Sequence, residues 1–249
     1  MQVIILGAGT AIPAKRYSPS GIAVRVAGEH LLLDAGPGTA QRLLAAGVTL
    51  LDLDRIFLSH YHVDHCLDFA AILFALRIPT PPRKRPLSVY GPRGLTRLYR
   101  GLNRTFHGWL APRAYRLTLN ELGEATLRLG GYTVTTRRMS HSTTALGYRL
   151  DARRASLAYS GDTDSCRGIV ELGRGVRTLI LECATTDERK VAGHLTPTEC
   201  GRIAASAGCE HLVLTHFYPV FQGYDIRRRV RRSFGGRLTL ARDGAVIAA

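Results

Sequence analysis

The chain has 249 residues, 45% of them hydrophobic and 21% charged, which is typical of a globular protein with one large core. Short apolar runs, an N-terminus without a signal-peptide pattern and five scattered cysteines argue against a membrane-spanning or disulfide-built secreted protein and favour the cytoplasm. The net charge of +15, carried mostly by arginine, favours an anionic, phosphate-bearing substrate, with a basic surface that has no specific partner as the alternative.

The predicted elements mix strands and helices along the whole chain. Strands are predicted at residues 2–6, 22–26, 30–34, 55–59, 87–90, 125–129, 132–137, 146–150, 156–160, 177–181, 211–215 and 237–240. Helices are predicted at residues 37–46, 66–77, 94–105, 166–172, 196–207 and 224–233. Residues 21–34 are predicted to form a hairpin around Gly28-Glu29, and residues 79–86 a connecting loop. We therefore expect an α/β (α+β) protein with two sheets between helical layers, in a single domain over residues 1–249.

Three of the nine histidines lie within six residues, in the segment His60-Tyr61-His62-Val63-Asp64-His65. The segment follows a predicted strand, and the carboxyl ends of strands are where open α/β sheets present their sites. If extended geometry continues for two residues, His60 and His62 point to the same side and can bind one metal ion. Asp64 and His65 would then face a second metal position. The alternative interpretation of Asp64 is a helix N-cap.

Three further candidate ligands each follow a predicted strand. His141 comes after strand 132–137, Asp162 after strand 156–160, and His216 after strand 211–215. Loops that follow neighbouring strands converge at one edge of a sheet, so we expect these side chains to lie near the histidine cluster.

These motifs resemble those of the metallo-β-lactamase-fold hydrolases, and more narrowly those of ribonuclease Z and related phosphodiesterases. The matching segments, similar in order and spacing, are Leu33-Asp34-Ala35-Gly36, His60-Tyr61-His62-Val63-Asp64-His65, Tyr90-Gly91-Pro92-Arg93-Gly94, His141 ahead of Leu146-Gly147-Tyr148-Arg149, Ser160-Gly161-Asp162-Thr163, Gly193-His194-Leu195-Thr196 and Leu214-Thr215-His216-Phe217. The resemblance covers nearly the whole chain. It implies the four-layer αββα sandwich, with the site at the edge of its two sheets.

The resemblance also implies a set of ligands for two metal ions: His60, His62 and His141 on the first, Asp64, His65 and His216 on the second, and Asp162 bridging both. Asp34 is implied as a residue behind the ligands that orients them. Zinc is the metal we expect, with manganese and iron as alternatives.

The expected chemistry is hydrolysis of a phosphodiester. Two metal ions about 3.5–4 Å apart would hold a bridging hydroxide and polarise a phosphoryl oxygen. Asp64 would orient that hydroxide and accept its proton while ligating, and His194 would bind the phosphate or protonate the leaving oxygen. For His194 the alternative is a local role near the start of the helix predicted at 196–207.

Two departures from the ribonuclease Z pattern bear on the substrate. Ribonuclease Z proteins of the tRNA-processing type carry a long tRNA-binding arm near the stretch between His141 and Asp162, where this chain has room only for a hairpin. His194 is followed by Leu-Thr, whereas the endonucleases of that branch typically have His-Ser-Thr. The sequence therefore favours a small phosphodiester over a tRNA precursor, and RNA stays an open alternative.

Other functions remain compatible with the sequence. The same fold also hosts arylsulfatases and lactone or thioester hydrolases, and a metal-stabilised nucleic-acid-binding protein without turnover is an alternative of a different class. The basic runs Arg83-Lys84-Arg85 and 227–232 are either solvated surface or a patch for an acidic partner. A homodimer is also compatible with the sequence.

Overall fold

Two seven-stranded sheets form the centre of the protein in the computed structural model, which describes residues 1–249. The first sheet contains, in spatial order, β14 (Val246–Ala248), β1 (Gln2–Gly7), β2 (Gly21–Val26), β3 (Glu29–Ala35), β4 (Leu53–Phe57), β5 (Leu87–Pro92) and β6 (Leu117–Leu122). The second contains β13 (Arg237–Leu240), β12 (His211–Thr215), β11 (Thr178–Glu182), β10 (Ala155–Tyr159), β9 (Leu146–Ala152), β8 (Tyr132–Arg138) and β7 (Ala125–Leu129).

Helices cover the outer face of each sheet. The α-helices are α1 (Thr39–Ala45), α2 (Val63–Cys66), α3 (Asp68–Arg77), α4 (Leu95–Thr105), α5 (Arg167–Gly173), α6 (Pro197–Ala207) and α7 (Ile226–Val230), with short 3-10 helices at Leu50–Asp52 and Asp187–Arg189. One core lies between the sheets and includes Phe57 and Tyr148, and each helical layer buries a core of its own against a sheet. The expected four-layer αββα sandwich is confirmed.

The strand directions bring the carboxyl ends of the strands that precede the candidate ligands to one edge of the sandwich. In the first sheet β3, β4 and β5 run parallel, and in the second sheet β10, β11, β12 and β13 do so. β8 has the same direction as β10, because β9 is antiparallel to both. The segments that follow β3, β4, β8, β10, β11 and β12 therefore start at this edge.

Several predicted elements differ from the structure. Residues 117–122 and 246–248 form strands that the sequence did not predict, because both lie at or next to a sheet edge and lack a continuous apolar run. The helix predicted at 224–233 spans only Ile226–Val230, since the Asp225 side chain caps its N-terminus and Ser233 to Gly236 turn into β13. The helix predicted at 66–77 begins earlier and is divided into α2 and α3.

Other local predictions are confirmed. β2 and β3 pair as the expected hairpin, and the two turn residues Ala27 and Gly28 both have positive φ, as tight hairpin turns require. Residues 79–86 contain no helix or strand. All five cysteines are free thiols, and no helix has both the length and the apolar character needed to cross a bilayer.

Candidate metal centre

The segment after β4 carries four of the candidate side chains. His62 directly precedes α2 with an extended backbone, and its ring lies against that of His60, with 4.6 Å between the centroids. Asp64 and His65 lie within α2 and not ahead of a helix. The carboxylate of Asp64 accepts a hydrogen bond from the Ala11 amide at 3.0 Å, so the alternative interpretation of Asp64 as an N-cap is wrong.

Three more candidates follow strands of the second sheet. His141 comes after β8, Asp162 after β10 and His216 after β12. Gly161 allows the two sheets to approach here, since a Cβ at this position would lie 2.5 Å from the Ser59 Cβ. The sandwich thereby places Asp162 against the histidines that follow β4.

The seven side chains form two groups. Ligand atoms of His60, His62, His141 and Asp162 lie within 4.8 Å of one another, and those of Asp64, His65 and His216 form a second set of the same kind. This division is the one that the family resemblance implies. All of these residues are buried except His62, which is exposed, and His141, which is half-buried.

Asp162 presents a different carboxylate oxygen to each group. Its Oδ2 lies 3.7 Å from His60 Nε2 and 3.8 Å from His141 Nε2. Its Oδ1 lies 3.2 Å from His65 Nε2 and 3.3 Å from His216 Nε2. A carboxylate in this position can contact one cation in each group.

The distances between ring nitrogens fit metal ligation. His62 Nδ1 lies 3.1 Å from His141 Nε2, and His65 Nε2 lies 3.2 Å from His216 Nε2. Two imidazoles on one tetrahedral zinc, with Zn–N of 2.0–2.1 Å, have nitrogens about 3.3 Å apart. His60 Nε2 and Asp162 Oδ1 are buried without a hydrogen-bond partner, and a cation would satisfy both. The donor set therefore fits divalent metal ions.

The charges of the centre also favour cations. Burial lowers the pKa of His60 and of His141, which favours the neutral imidazole that binds metals. Burial alone would raise the pKa of Asp162, but the charges of His216 and His65 outweigh it and lower this pKa well below its usual range. A buried, ionised carboxylate such as that of Asp162 needs positive charge beside it.

Asp34 lies directly behind the ligands and is fully buried. It accepts four hydrogen bonds: from the Ser59 amide at 2.7 Å and hydroxyl at 2.8 Å, from His65 Nδ1 at 2.7 Å, and from the Tyr159 hydroxyl at 2.7 Å. Because His65 donates from Nδ1, its Nε2 stays free for a metal. The position agrees with the orienting role that the resemblance implies.

His194 adjoins both groups and is held by an acidic residue. Its Nδ1 donates to Glu182 Oε1 at 2.9 Å, and its ring centroid is 4.9 Å from that of His141 and 5.7 Å from that of His216. Burial would lower the pKa of His194, but the hydrogen bond to Glu182 and its charge raise it. Thr196, not His194, caps α6. His194 also forms a potential ligand group with Asp162 and His216, so its position allows ligation as well as proton transfer.

The loop that carries His194 is fastened by Lys190. The Lys190 ammonium donates to Asp164 at 2.7 Å, to Glu199 at 2.6 Å and to the His194 carbonyl oxygen. The Gly193 carbonyl of the same loop accepts from His141 Nδ1 at 2.9 Å. One buttressed loop therefore orients both His141 and His194.

Glu182 is a residue of the centre that the sequence did not predict. It ends β11, whose residues are all buried, and it also accepts from the amides of Thr163 and Leu195. The available signal was an acidic residue at the carboxyl end of a strand that is otherwise apolar. Buried acids without partners are rare, so such a residue suggests a buried hydrogen-bond network.

Comparison with known proteins finds the same family in sequence and the same fold among solved structures. A family model described as a beta-lactamase superfamily domain matches residues 29–217. A ribonuclease Z of Streptomyces avermitilis is 30% identical over 298 residues, covering 97% of this chain and 95% of the relative. Among solved structures, the metallo-β-lactamase-fold protein YhfI from Bacillus subtilis has a TM-score of 0.85 and 25% identity, covering 99% and 98% of the two chains. The short form of human tRNase Z has a TM-score of 0.82 and 24% identity, covering 100% and 98%.

Proposed function

Because the chain belongs to the β-lactamase superfamily and matches ribonuclease Z over nearly its whole length, we propose that it is a metal-dependent hydrolase of phosphodiester bonds. The observation that carries the proposal is the position of Asp162, with one carboxylate oxygen toward each of two ligand groups. Two metal ions held in this way suit hydrolysis at phosphorus better than a single structural site does.

In this proposal each residue of the centre has a definite role. His60, His62 and His141 would hold one metal ion, Asp64, His65 and His216 would hold the other, and Asp162 would contact both. Zinc is the ion proposed, since its ligands are imidazole and carboxylate, with manganese and iron as the alternatives to be tested. Bound metal ions would lower the pKa of water and polarise the phosphoryl oxygens.

The remaining roles concern protons and orientation. Asp64 accepts the proton of the attacking water, and its geometry is fixed by the Ala11 amide. His194, held by Glu182, protonates the leaving oxygen or binds the phosphate. Asp34 keeps His65 in the tautomer that leaves Nε2 free.

Two observations favour a small substrate over a large RNA. Between His141 and Asp162 the chain forms only the hairpin of β9 and β10, with no protruding arm. The alignment with the Streptomyces ribonuclease Z extends over 298 residues, more than the 249 of this chain, so that relative contains inserted residues that are absent here.

Much of the basic run 83–85 has structural partners. The Arg83 guanidinium is buried and donates to backbone carbonyls, among them those of Leu51 and Pro86. Arg85 pairs with Asp54. These contacts reduce the charge that this run can offer to RNA.

Three of the five arginines in the run 227–232 are similarly engaged. Arg229 pairs with Asp187 and Glu188, and the guanidinium groups of Arg227 and Arg231 donate to backbone carbonyls. Neither basic run is a strong substitute for a tRNA-binding arm.

We expect the metal-loaded protein to hydrolyse a bis-aryl phosphodiester far faster than it cleaves a tRNA precursor near the 3′ end. A large substrate is positioned by remote contacts, and their absence lowers kcat/KM. Both rates should be measured near physiological ionic strength, where screening suppresses non-specific capture of RNA. The same rates should also be measured with aryl sulfate, lactone and thioester substrates.

Each of the other outcomes has a definite meaning. Accurate cleavage of the tRNA precursor under these conditions would overturn the small-substrate proposal and identify RNA as the substrate. Preferential turnover of a sulfate, lactone or thioester would assign another ester class. RNA binding with no turnover of any substrate would support the alternative of a metal-stabilised nucleic-acid-binding protein.

We also propose that the protein is cytoplasmic, because free thiols such as the five in this chain persist in that compartment.

We further propose that the protein forms a homodimer. One apolar cavity beside α3 and α4 is surrounded by four exposed apolar side chains: Leu67, Phe74, Phe106 and Trp109, with exposed fractions of 46%, 42%, 44% and 53%. Exposed apolar patches of this kind often form isologous contacts. Sedimentation should give a dimer for the wild-type protein and a monomer for Trp109→Glu, whereas a monomeric wild type would contradict the proposal.

A further inference from the structure

The loop after β1, residues 8–18, is closed at its base by a carboxylate from the far end of the chain. Asp243 Oδ1 accepts a hydrogen bond from the Ala8 amide at 2.9 Å, and Asp243 Oδ2 accepts one from the Ser18 amide at 2.8 Å. The Gly9 amide also donates to the Ser18 carbonyl at 2.8 Å, so the two ends of the loop lie side by side. Asp243 therefore holds both ends of this segment, which we call the clamped loop.

Asp243 is itself anchored and has no role in the proposed chemistry. Its side chain is 11% exposed, and the Arg42 guanidinium of α1 lies 3.1 Å from its Oδ2. It belongs to neither ligand group of the metal centre. Hydrogen bonds from backbone amides to a carboxylate are about twice as strong as those between neutral groups, so this clamp holds the loop firmly.

The tip of the clamped loop contacts one candidate ligand. The Ala11 amide donates to Asp64 Oδ2 at 3.0 Å, and the same oxygen lies 3.5 Å from His216 Nε2. A carboxylate oxygen has two lone pairs, so the amide can use one and leave the other for a cation. Ala11, Ile12 and Pro13 are exposed and gain little from packing. The position of the Ala11 amide therefore depends on how the loop is held at its base.

The base of the clamped loop supports a second candidate ligand. The Ala8 carbonyl accepts a hydrogen bond from the amide of Phe217, the residue after His216, at 2.9 Å. His216 has a φ of 60°, in the left-handed region that residues other than glycine rarely adopt. Such a conformation persists only where neighbouring contacts hold the backbone. The bond from Phe217 to Ala8 is one of these contacts, and Asp243 holds Ala8 in turn.

Both connections lead to the same ligand group. Asp64 and His216 belong to the group that His65 completes, and Asp34 orients His65. The side-chain hydrogen bonds of the other group do not involve the clamped loop; that group contains His60, His62 and His141. Asp243 is thus connected to one metal position and not to the other.

We infer that Asp243 is a positioning residue, which sets the affinity of the metal position formed by Asp64, His65 and His216 while leaving the other position unaffected. The inference rests on the two-ion centre of the proposed function. Without the carboxylate, the Ala11 amide is no longer held against Asp64, and His216 can leave its left-handed conformation. The ligands must then be ordered when the ion binds, which weakens binding.

One histidine in each group can report on its own metal position. His65 Nδ1 donates to Asp34 and His141 Nδ1 to the Gly193 carbonyl, so each ring N–H is held by the protein while Nε2 faces the ligand group. In the cobalt-loaded protein these two protons give separate, strongly shifted NMR signals. Each is assigned as the signal missing from His65→Gln or His141→Gln. Titration with a competing chelator then measures the cobalt affinity of each position without any turnover.

Asp243→Ala should weaken cobalt binding at the His65 position by about 10- to 100-fold, the range found when the residues that support metal ligands are removed. Binding at the His141 position should stay within about twofold. Asp243→Asn should lie between wild type and Asp243→Ala, because its amide oxygen can still accept one of the two backbone hydrogen bonds. Unchanged affinity at the His65 position in Asp243→Ala would overturn the inference.

Two further variants separate positioning from general destabilisation. Ala11→Pro removes only the amide hydrogen at the exposed tip and should also weaken the His65 position selectively. Asp54→Ala is the matched control, since Asp54 likewise accepts from a backbone amide, that of His30 at 2.9 Å, and pairs with Arg85. It lies near the amino end of β4, at the opposite edge of the sheet, and should leave both positions unchanged. Equal losses at both positions in Asp243→Ala would assign it a general structural role and overturn the inference.

The same titration distinguishes failure of the inference from failure of the proposed function. If the wild-type protein binds two ions but hydrolyses no diester, the proposed reaction is wrong, and a selective loss in Asp243→Ala still supports the inference. If the wild-type protein hydrolyses diesters with two ions bound and Asp243→Ala binds both ions equally well, the inference is overturned and the proposed function stands.

Discussion

Asp162→Ala is expected to lose both metal ions and at least about 10³-fold of the hydrolytic rate. The carboxylate presents one oxygen to each ligand group, so its removal weakens each position and leaves the two groups without a shared anion. Metal ions contribute several kcal/mol to stabilisation of the developing charge, and each 1.36 kcal/mol corresponds to tenfold in rate.

The melting temperature should fall together with the metal content. A ligand present at 100 times its dissociation constant stabilises the folded state by about 2.7 kcal/mol, and the variant forfeits this contribution. In excess chelator the melting temperatures of wild type and variant should approach one another. Asp151→Ala is the matched control, because Asp151 lies on β9 and pairs only with Arg149.

Elemental analysis of the wild-type protein decides the number of ions. We expect close to two transition-metal ions per chain, because seven ligand side chains exceed what one tetrahedral site can use. A reproducible value at or below one, unchanged by added zinc or manganese, would rule out the dinuclear centre.

His194→Ala is expected to keep its metal ions and melting temperature while losing about 10²–10⁴-fold in turnover, the usual range for a lost acid–base group. The loss should be larger for diesters with alkoxide leaving groups than for nitrophenyl esters, because a good leaving group needs less protonation. Equal losses for both would favour phosphate binding over proton donation. Loss of metal would identify His194 as a ligand, which its distance to Asp162 and His216 permits.

Glu182→Gln supplies the companion variant for this experiment. The amide oxygen can still accept a hydrogen bond from His194, but the substitution removes the negative charge that raises the pKa of His194. Turnover should fall in the same substrate order as in His194→Ala, with metal content retained. An unchanged rate would mean that Glu182 serves only as the hydrogen-bond acceptor for the backbone amides of Thr163 and Leu195.

The sequence by itself determined the fold class, the position of the histidine cluster and the order of the strands that precede the candidate ligands. These features depend on local signals: apolar runs of strand length, the turn at Gly28, and side chains placed directly after strands. The family resemblance added the expected assignment of the seven ligands to two metal positions. The structure brings those side chains together in the same two sets.

Tertiary structure alone decided the rest, because those features depend on contacts between residues far apart in the chain. Asp34 meets Tyr159 across 125 positions, and Asp162 turns one oxygen toward each group only because Gly161 lets the sheets approach. Glu182 has no local pattern beyond its place at a strand end, so pairing with His194 requires the folded loop. Arg83 is part of a basic run in the sequence, yet folding buries its guanidinium among backbone carbonyls. The local sequence does not show which cationic side chains will have internal hydrogen-bond or ion-pair partners.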